Sequence, residues 1–294
     1  MPAAWQVSRA RTITLDVPRV IAIINATPDS FHALSRADGP DAALDAARQA
    51  LDAGADMLDL GAESTRPGAA RVDADEQLRR LVPALAAIRK HCPRVPISID
   101  TTLSRVAEAA LDAGADAIND VSAGREDDRM FALAAERGAG MVLMHRRAPP
   151  PEDSYSDRYQ RVPDYRDVVE EVGAFLVGRV AAALRAGVAR EAIVLDPGLG
   201  FGKSVEQNLE LIARTGELEA LGCPILSAAS RKSFVGRISL GRDSTPEERL
   251  AGSLAASVAH WRAGARLFRV HDPGPQGQAL RVAASLTRGE RYRV

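Results

Sequence analysis

Two stretches of nearly identical sequence lie 60 residues apart, LDAGADMLDL at 51–60 and LDAGADAIND at 111–120. In each, Leu-Asp-Ala reads as the end of a helix, and the glycine that follows, Gly54 or Gly114, predicts a left-handed C-terminal cap. The apolar run after the glycine predicts a short strand. Looser copies of the pattern occur twice more, as ERGAGMVLMH at 136–145 and RAGARLFRVHD at 262–272. The chain therefore alternates helices and strands, which restricts it to an α/β fold.

Eight short apolar runs have the length of buried strands. They lie at 19–24, 56–60, 95–99, 115–118, 140–144, 192–195, 223–227 and 266–270. Apolar residues at helical spacing lie between them, such as Leu78, Leu81, Leu85 and Ile88, or Leu250, Leu254, Val258 and Trp261. Eight βα units favour a single-domain (β/α)8 TIM barrel over an open doubly wound sheet, which remains the alternative. We expect the domain to span residues 1–294, with a core at about 12–287 and an extra N-terminal strand or hairpin.

The composition excludes several classes of partner. With 38 Lys and Arg against 39 Asp and Glu, the formal net charge is −1, so the chain is not a bulk nucleic-acid binder. No apolar run approaches the ~20 residues of a membrane-spanning helix, and the N-terminal stretch lacks the apolar core of a secretory signal. We therefore expect a cytoplasmic protein without a nucleic-acid or membrane partner.

Polar residues follow the predicted strands, where a parallel barrel builds its active site. Asp100, Asn119, Asp196 and Lys232 each occupy such a position. Carboxylates accept hydrogen bonds from N–H groups, an amide donates and accepts, and lysine donates, which suits the edge of a 2-amino-4-oxo pyrimidine. A single strand-terminal Asp often caps the next helix instead, but the four residues together favour a site for a flat polar ring.

A second group of strand-end residues indicates an anion site. Thr65, Arg66, Arg269 and His271 follow the second and eighth strands, and barrels commonly bind phosphate near strands seven and eight. A surface ion pair for Arg66 and a neutral core imidazole for His271 are the alternatives.

GFGKS at 200–204 lacks the spacing of a nucleotide-binding P-loop, so we expect Ser204 to cap a helix.

Eight ordered motifs carry a resemblance to a known family. NATPDSF, ESTRPG, SIDT, IND, MH, DPGLGFGK, SRKSFVG and RVHD together resemble the dihydropteroate synthases over about residues 12–287. The resemblance implies a (β/α)8 barrel that joins 6-hydroxymethyl-7,8-dihydropterin diphosphate to 4-aminobenzoate with help from Mg²⁺ and releases diphosphate. It also implies a homodimer and competitive inhibition by sulfonamides, which resemble 4-aminobenzoate.

The resemblance also assigns roles to individual residues. The pterin would be held by Asp100, Asn119, Asp196 and Lys232, with Met144 and Phe201 near its ring. The diphosphate would be bound by Thr65, Arg269 and His271, and its Mg²⁺ by Asn25. The 4-aminobenzoate would be covered by Phe31, Arg66 and Pro67 on two loops, with its carboxylate at Ser233. Asp100, Lys232, Arg269 and His271 are the expected catalytic residues.

Two alternatives stay open, and one departure from the family pattern motivates the first. Where the family usually has Met-His-Met-Gln-Gly, this chain reads MHRRAPPPEDSYSDRY from residue 144. A catalytically silent pterin-binding paralogue is one alternative. A methyltetrahydrofolate-binding methyltransferase is the other, although it has no use for the predicted anion site.

The predicted ring site and the predicted anion site are two separate groups of residues. We therefore expect Arg269→Ala to weaken diphosphate binding and leave free pterin binding nearly unchanged.

Overall fold

A computed structural model describes residues 4–26 and 39–288. Its strands are β1 (Ala4–Ser8), β2 (Arg11–Thr14), β3 (Arg19–Asn25), β4 (Met57–Gly61), β5 (Ile97–Asp100), β6 (Ala117–Asp120), β7 (Gly140–Met144), β8 (Ile193–Asp196), β9 (Leu226–Ser227) and β10 (Leu267–Val270). Its helices are α1 (Pro40–Asp52), α2 (Ala74–His91), α3 (Ser104–Asp112), α4 (Met130–Arg137), α5 (Val168–Arg185), α6 (Val205–Ala213), α7 (Thr215–Glu219), α8 (Ser233–Leu240), α9 (Leu250–Ala263) and α10 (Pro273–Arg288).

The parallel strands close into a barrel. Their order is β8-β7-β6-β5-β4-β3-β10-β9, and a parallel bridge between Leu195 and Ile225 joins the two ends. At the same seam the Leu195 amide donates to the Pro224 carbonyl at 2.9 Å. The predicted (β/α)8 barrel is therefore confirmed, and the carboxyl ends of its strands meet at one mouth.

The repeated LDAGAD sequence marks equivalent helix-to-strand junctions. Gly54 and Gly114 have φ values of 95° and 103°, as a left-handed cap requires. The Asp of each copy binds the start of the preceding strand: Asp56 Oδ2 accepts from the Val20 amide at 2.8 Å, and Asp116 Oδ2 from the Ile97 amide at 3.0 Å. The pattern thus recurs because each junction must terminate a helix and satisfy a strand amide.

An N-terminal hairpin closes the bottom of the barrel. Strands β1 and β2 pair antiparallel, and the fully buried Trp5 and Val7 pack against the apolar residues that fill the barrel's lower interior. The Trp5 indole N–H donates to the Ala192 carbonyl at 2.9 Å. The packed core therefore begins before residue 12, and the apolar interior lies at the end opposite the mouth.

Helix α9 does not bury the face that its apolar residues predict. Of Leu250, Leu254, Val258 and Trp261 only Trp261 is buried, whereas Ser253, Ser257 and His260 are buried on the same helix. His260 Nδ1 lies 2.8 Å from Ser227 Oγ of β9. The buried face of α9 is therefore shifted from the line of its apolar residues towards these polar ones, while Val258 stays half-buried against the core.

Candidate active site

Alternate residues of the strands point into the barrel, and those near the mouth are polar. Ile21, Met57 and Val142 fill the lower interior. Two residues further along β4 lies Asp59, and its register partner on β5 is Ser98. One step higher, Asp100 of β5 is level with Asn119 of β6. Since side chains alternate across a strand, these residues face one interior space above the apolar layer.

Asp59 is the centre of this polar layer. Its carboxylate, 1% exposed, accepts hydrogen bonds from Ser98 Oγ at 2.6 Å, Asn119 Nδ2 at 3.1 Å and Arg269 Nε at 2.6 Å. Asp59 is not among the site residues predicted from the sequence. The available signal was a carboxylate inside the otherwise apolar run MLDLG at an inward-facing position.

Arg269 joins the two groups that the sequence analysis kept apart. While its Nε binds Asp59, its Nη2 donates to Asp100 Oδ2 at 2.7 Å. Burial raises the pKa of Asp100 to about 7; the Arg269 charge opposes this shift and the Asp59 charge adds to it. The pKa of Arg269 is raised despite its burial, chiefly by Asp59 and Asp100. The predicted ring site and anion site are therefore one electrostatic unit.

Asp196 lies on the far side of the mouth in a tight turn. Its Oδ1 accepts from the Gly198 amide at 2.7 Å. Gly198 has a φ of 68°, and a Cβ there would lie 1.8 Å from the His145 carbonyl oxygen, so only glycine fits. Burial raises the pKa of Asp196, while Gly198 and the charges of Lys232 and Arg269 oppose the shift.

Lys232 lies over an aromatic ring at the same mouth. Its Nζ is 4.0 Å from the centre of the Phe201 ring. Burial, followed by the nearby charge of Arg269, lowers the pKa of Lys232 to about 8. Phe201 also packs with Val121 and Met144 in a small buried apolar cluster. This cluster offers an apolar surface beside the polar layer, and Val121 is a further residue that sequence analysis missed.

His271 stands beside the polar layer as a neutral imidazole. Its Nδ1 lies 3.2 Å from Ser230 Oγ. Burial, then the charge of Arg269, lowers its pKa to about 3. His271 therefore supplies a hydrogen-bonding group rather than a charge near neutral pH, and the positive charge of the predicted anion site comes from Arg269 and Arg66.

The other predicted site residues that the structure describes lie around the mouth. Asn25 ends β3 and is level with Gly61 of β4. In the β4–α2 loop (residues 62–73), Thr65 and Pro67 are half-buried and Arg66 is exposed. Ser233 begins α8, so it lies at a helix N-terminus as expected. Phe31 lies outside the described residues.

The lysine of the GFGKS sequence, Lys203, has a structural role in the turn that follows β8. Lys203 is fully buried, and its Nζ donates to the carbonyls of Gly198 at 2.9 Å and Phe201 at 2.8 Å. The same Nζ lies 2.9 Å from His145 Nδ1. Ser204 caps α6 in a capping box with Gln207, as predicted. Lys203 thus holds the turn that carries Asp196 and Phe201.

The donor set suits an ion that binds mainly through substrate. Across residues 4–26 and 39–288, no three His, Cys, Asp or Glu side chains converge to hold a metal. Asn25 offers one amide oxygen at the mouth. Mg²⁺ characteristically takes one or two protein oxygens and completes its shell with phosphate oxygens and water. A single Asn oxygen beside a diphosphate site is therefore compatible with Mg²⁺.

Comparison with known proteins agrees with this geometry. The family model for pterin-binding enzymes matches residues 21–271. Dihydropteroate synthase from Synechocystis sp. is 40% identical over 269 residues, which are 92% of this chain and 90% of that protein. The structure of Xanthomonas albilineans dihydropteroate synthase with 4-aminobenzoic acid has a TM-score of 0.87 at 39% identity, covering 98% of this chain and 99% of that one. The same enzyme in complex with 7,8-dihydropteroate has a TM-score of 0.82 at 36% identity, covering 97% and 98%.

The chain therefore belongs to the family of pterin-binding enzymes, and the resemblance inferred from its motifs is confirmed. Within that family it groups with the dihydropteroate synthases, which are transferases of folate biosynthesis and act on small molecules.

Proposed function

We propose that this protein condenses 6-hydroxymethyl-7,8-dihydropterin diphosphate with 4-aminobenzoate to give 7,8-dihydropteroate and diphosphate. The observation that carries the proposal is the contact of Arg269 with Asp59 and Asp100 at 2.6 and 2.7 Å. This contact brings an anion-binding cation against Asp100, a ring-binding carboxylate, and against Asp59 beneath it. One bicyclic diphosphate ester can then engage both through its ring and its leaving group.

The pterin would bind through a complementary set of donors and acceptors. The carboxylates of Asp100 and Asp196 accept from ring and amino N–H groups. The Nδ2 of Asn119 donates a hydrogen bond to Asp59 at 3.1 Å, so its Oδ1 is available to accept one from the pterin. Lys232 donates to a ring oxygen or nitrogen. Val121, Met144 and Phe201 pack together, and this cluster would cover part of the ring face.

The diphosphate would bind on the Arg269 side of the mouth. Arg269 uses Nε and Nη2 within the protein, which leaves Nη1 for a phosphate oxygen. Thr65 and the neutral His271 add hydrogen bonds. Asn25 would hold a Mg²⁺ ion, which when bound offsets negative charge on the leaving group.

Bond cleavage at the exocyclic carbon can run ahead of attack. The C–O bond breaks with its electron pair leaving on diphosphate, and the electron-rich dihydropterin delocalises the positive charge. The Asp100 carboxylate would stabilise that charge electrostatically. The lone pair of the neutral arylamine then forms the C–N bond, and the nitrogen loses one proton. Because the arylamine attacks in its neutral form, the reaction requires no strong base.

The 4-aminobenzoate would lie at the outer edge of the mouth. Arg66 and Pro67 of the β4–α2 loop would border it, with Phe31 contributed from outside the described residues. Its carboxylate would lie at Ser233, where the N-terminal amides of α8 favour an anion. Closure over this site would exclude the water that competes for the cation.

The test is product formation by the purified protein. With the pterin diphosphate, 4-aminobenzoate and Mg²⁺, we expect equimolar diphosphate and 7,8-dihydropteroate, and competitive inhibition by a sulfonamide against 4-aminobenzoate. Tight pterin binding without turnover would instead indicate a silent paralogue. Methyl transfer from methyltetrahydrofolate to a corrinoid would indicate the methyltransferase alternative.

We also propose that the protein is a homodimer. Val282 and Leu286 of α10 are 62% and 79% exposed. A surface cleft lined by Val258, Arg262, Ala283 and Leu286 lies between α9 and α10. A second copy would cover this apolar surface.

No helix of the described residues is both long and apolar enough to cross a membrane. A cytoplasmic location and a single domain over residues 1–294 remain predictions from the sequence.

A further inference from the structure

The segment that departs from the family pattern begins with a buried arginine. In the β7–α5 segment (residues 145–167), Arg146 is 5% exposed. Its Nη2 binds Glu126, which lies between β6 and α4, and its Nη1 has no hydrogen-bond partner. Burial lowers the pKa of Arg146, and Glu126 and Asp120 oppose the shift. Burying a guanidinium group costs free energy because its charge loses hydration, so we expect Arg146 to have a structural or functional role at this position.

Arg146 is connected to the β4–α2 loop through a chain of alternating charges. Glu126 also binds Arg71 of that loop, at 2.9 Å from Nη2. Arg71 Nε in turn lies 3.0 Å from Glu63 Oε1, and Glu63 accepts from the Val72 amide at 3.1 Å. The order is therefore Arg146, Glu126, Arg71 and Glu63. The last two residues, Arg71 and Glu63, lie at the two ends of the loop that carries Thr65, Arg66 and Pro67.

The chain of charges is tied to the barrel below it. Glu63 Oε2 accepts from Gln77 Nε2 at 3.1 Å, and Gln77 Oε1 accepts from Thr101 Oγ1 at 3.0 Å. Thr101 directly follows Asp100. Arg71 Nη2 also donates to Thr102 Oγ1 at 3.0 Å. The loop is thus fixed relative to the strand end that carries the ring-binding carboxylate.

A second contact joins the same two segments directly. The Gly68 amide donates to the Pro150 carbonyl at 2.7 Å. Elsewhere the β7–α5 segment contacts the turn that follows β8: Asp153 Oδ2 accepts from the Gly202 amide at 3.1 Å, and the Tyr165 hydroxyl donates to the Gly202 carbonyl at 3.0 Å. The segment therefore contacts loops on both sides of the mouth.

We propose that Arg146 is a positioning residue for the arylamine side of the site. Through Glu126 and Arg71 it holds the β4–α2 loop in the conformation that receives 4-aminobenzoate. Ordering a flexible loop on binding costs conformational entropy, and a loop already held by ion pairs avoids that cost. The inference rests on the proposed function, because it assigns that loop to the arylamine.

The first test replaces Arg146 and measures the two substrates separately. In Arg146→Met, which keeps the apolar stem and removes the charge, we expect the KM for 4-aminobenzoate to rise about tenfold. The dissociation constant of the pterin diphosphate should stay within about twofold, since Thr65 is its one proposed contact from this loop and barrel residues supply the others. Arg146→Lys restores a charge for Glu126 and should recover most of the wild-type KM.

Two further variants separate this role from general destabilisation. Arg161→Met removes an exposed arginine of the same segment. It should change neither the KM for 4-aminobenzoate nor the dissociation constant of the pterin diphosphate. Glu126→Gln breaks the same ion pairs at a residue whose side chain is 25% exposed, and should reproduce the selective rise in KM even if Arg146→Met folds poorly.

Hydrogen exchange tests the positioning without turnover. In Arg146→Met the amides of Gly68 and Val72 should exchange faster, whereas the Gly202 amide, held by Asp153, should not change. If the wild-type protein makes no dihydropteroate, the proposed function fails, and the exchange measurement still decides whether Arg146 holds the loop. Unchanged exchange in the β4–α2 loop, or an equal loss of affinity for both substrates in Glu126→Gln, would overturn the inference.

Discussion

Asp59 illustrates how a charge is kept inside a barrel. Removing a carboxylate from water costs several kcal/mol unless donors and an opposite charge replace the lost hydration. Asp59 receives a hydroxyl, an amide and a guanidinium nitrogen, from Ser98, Asn119 and Arg269. Two of these partners belong to the proposed substrate site. Asp59 therefore orients substrate-binding groups without itself being one of the residues assigned to substrate.

Asp59→Asn should keep the shape of the layer and remove its charge. We expect kcat/KM for the pterin diphosphate to fall by roughly ten- to a hundredfold, the cost of weakening buried charge-assisted hydrogen bonds. Steady-state kinetics with saturating 4-aminobenzoate would measure the change. Asp45→Asn, on the exposed face of α1, is the control. Equal kcat/KM in both variants would show that Asp59 has no positioning role.

Asp59→Asn should also change the pH dependence of kcat/KM. The pKa of Asp100 is raised to about 7 and that of Lys232 lowered to about 8. If the charged forms are active, kcat/KM rises as pH increases through about 7, where Asp100 loses its proton, and falls above about 8, where Lys232 loses its own. Because Asp59 is one of the charges that raise the pKa of Asp100, Asp59→Asn should move the acid limb to lower pH. An acid limb that does not move would contradict this assignment.

The structure changes the prediction for Arg269→Ala. From the sequence, only diphosphate binding should suffer. The contacts with Asp59 and Asp100 mean that the alanine variant leaves two buried carboxylates without their cation, which raises the pKa of Asp100 further. We now expect free 6-hydroxymethyl-7,8-dihydropterin to bind about tenfold more weakly, and its diphosphate more weakly still. Titration calorimetry with both ligands tests this, and undiminished binding of the free pterin would restore the original expectation.

At the scale of elements, the repeated junction shows how one local sequence serves two positions. In both copies Asp accepts from a strand amide, but the two carboxylates differ in burial. The Asp116 side chain is 11% exposed and is bound by Arg11, Arg89, Ser8 and the Ile97 amide. The Asp56 side chain is 33% exposed and has fewer partners. The repeat is therefore conformational, whereas the contribution to stability depends on what surrounds each copy.

The two junctions form a matched pair for measurement. Asp116→Ala should lower the free energy of unfolding by about 3 kcal/mol, because it leaves Arg89 half-buried without its carboxylate. Asp56→Ala should cost about 1 kcal/mol, as expected of a more exposed pair. Denaturant unfolding of both variants provides the values. Both residues lie at the amino ends of the strands, away from the mouth, so kcat/KM of the folded protein should not change; similar costs for the two variants would contradict the argument.

Helix α9 shows the opposite relation between sequence and element. The apolar spacing of Leu250, Leu254 and Val258 predicts a helix, and a helix is present. Its buried side carries Ser253 and His260 because Ser253 Oγ accepts from the Arg231 amide at 2.9 Å and His260 reaches Ser227. The spacing of apolar residues therefore predicts that a helix forms, but the partners on neighbouring elements decide which face of the helix is buried.

At the scale of the whole molecule, the apolar surface over α9 and α10 carries the prediction of a dimer. Leu286→Glu should convert a homodimer to a monomer of 31.3 kDa, because the dimer would have to bury the new charge at its interface. Light scattering after size-exclusion chromatography measures the mass. Val162→Glu changes an equally apolar residue, 59% exposed, in the β7–α5 segment and should leave the mass unchanged. A monomeric wild-type protein at micromolar concentration would refute the dimer.

The alternating helices and strands, their junction glycines and the strand-end residues are all legible in the sequence. They depend on neighbours in the chain. A φ near 100° at Gly54 and Gly114 needs glycine, Asp100 and Asp196 end their strands, and Asn119 is the residue before the end of its strand. The pairing of Arg269 with Asp59 spans 210 residues, and that of Arg146 with Glu126 crosses from one loop to another. Such contacts follow from closure of the barrel, which makes distant strand ends neighbours. The sequence therefore predicted the residues of the site, while the folded barrel decided that ring-binding and anion-binding groups share charges.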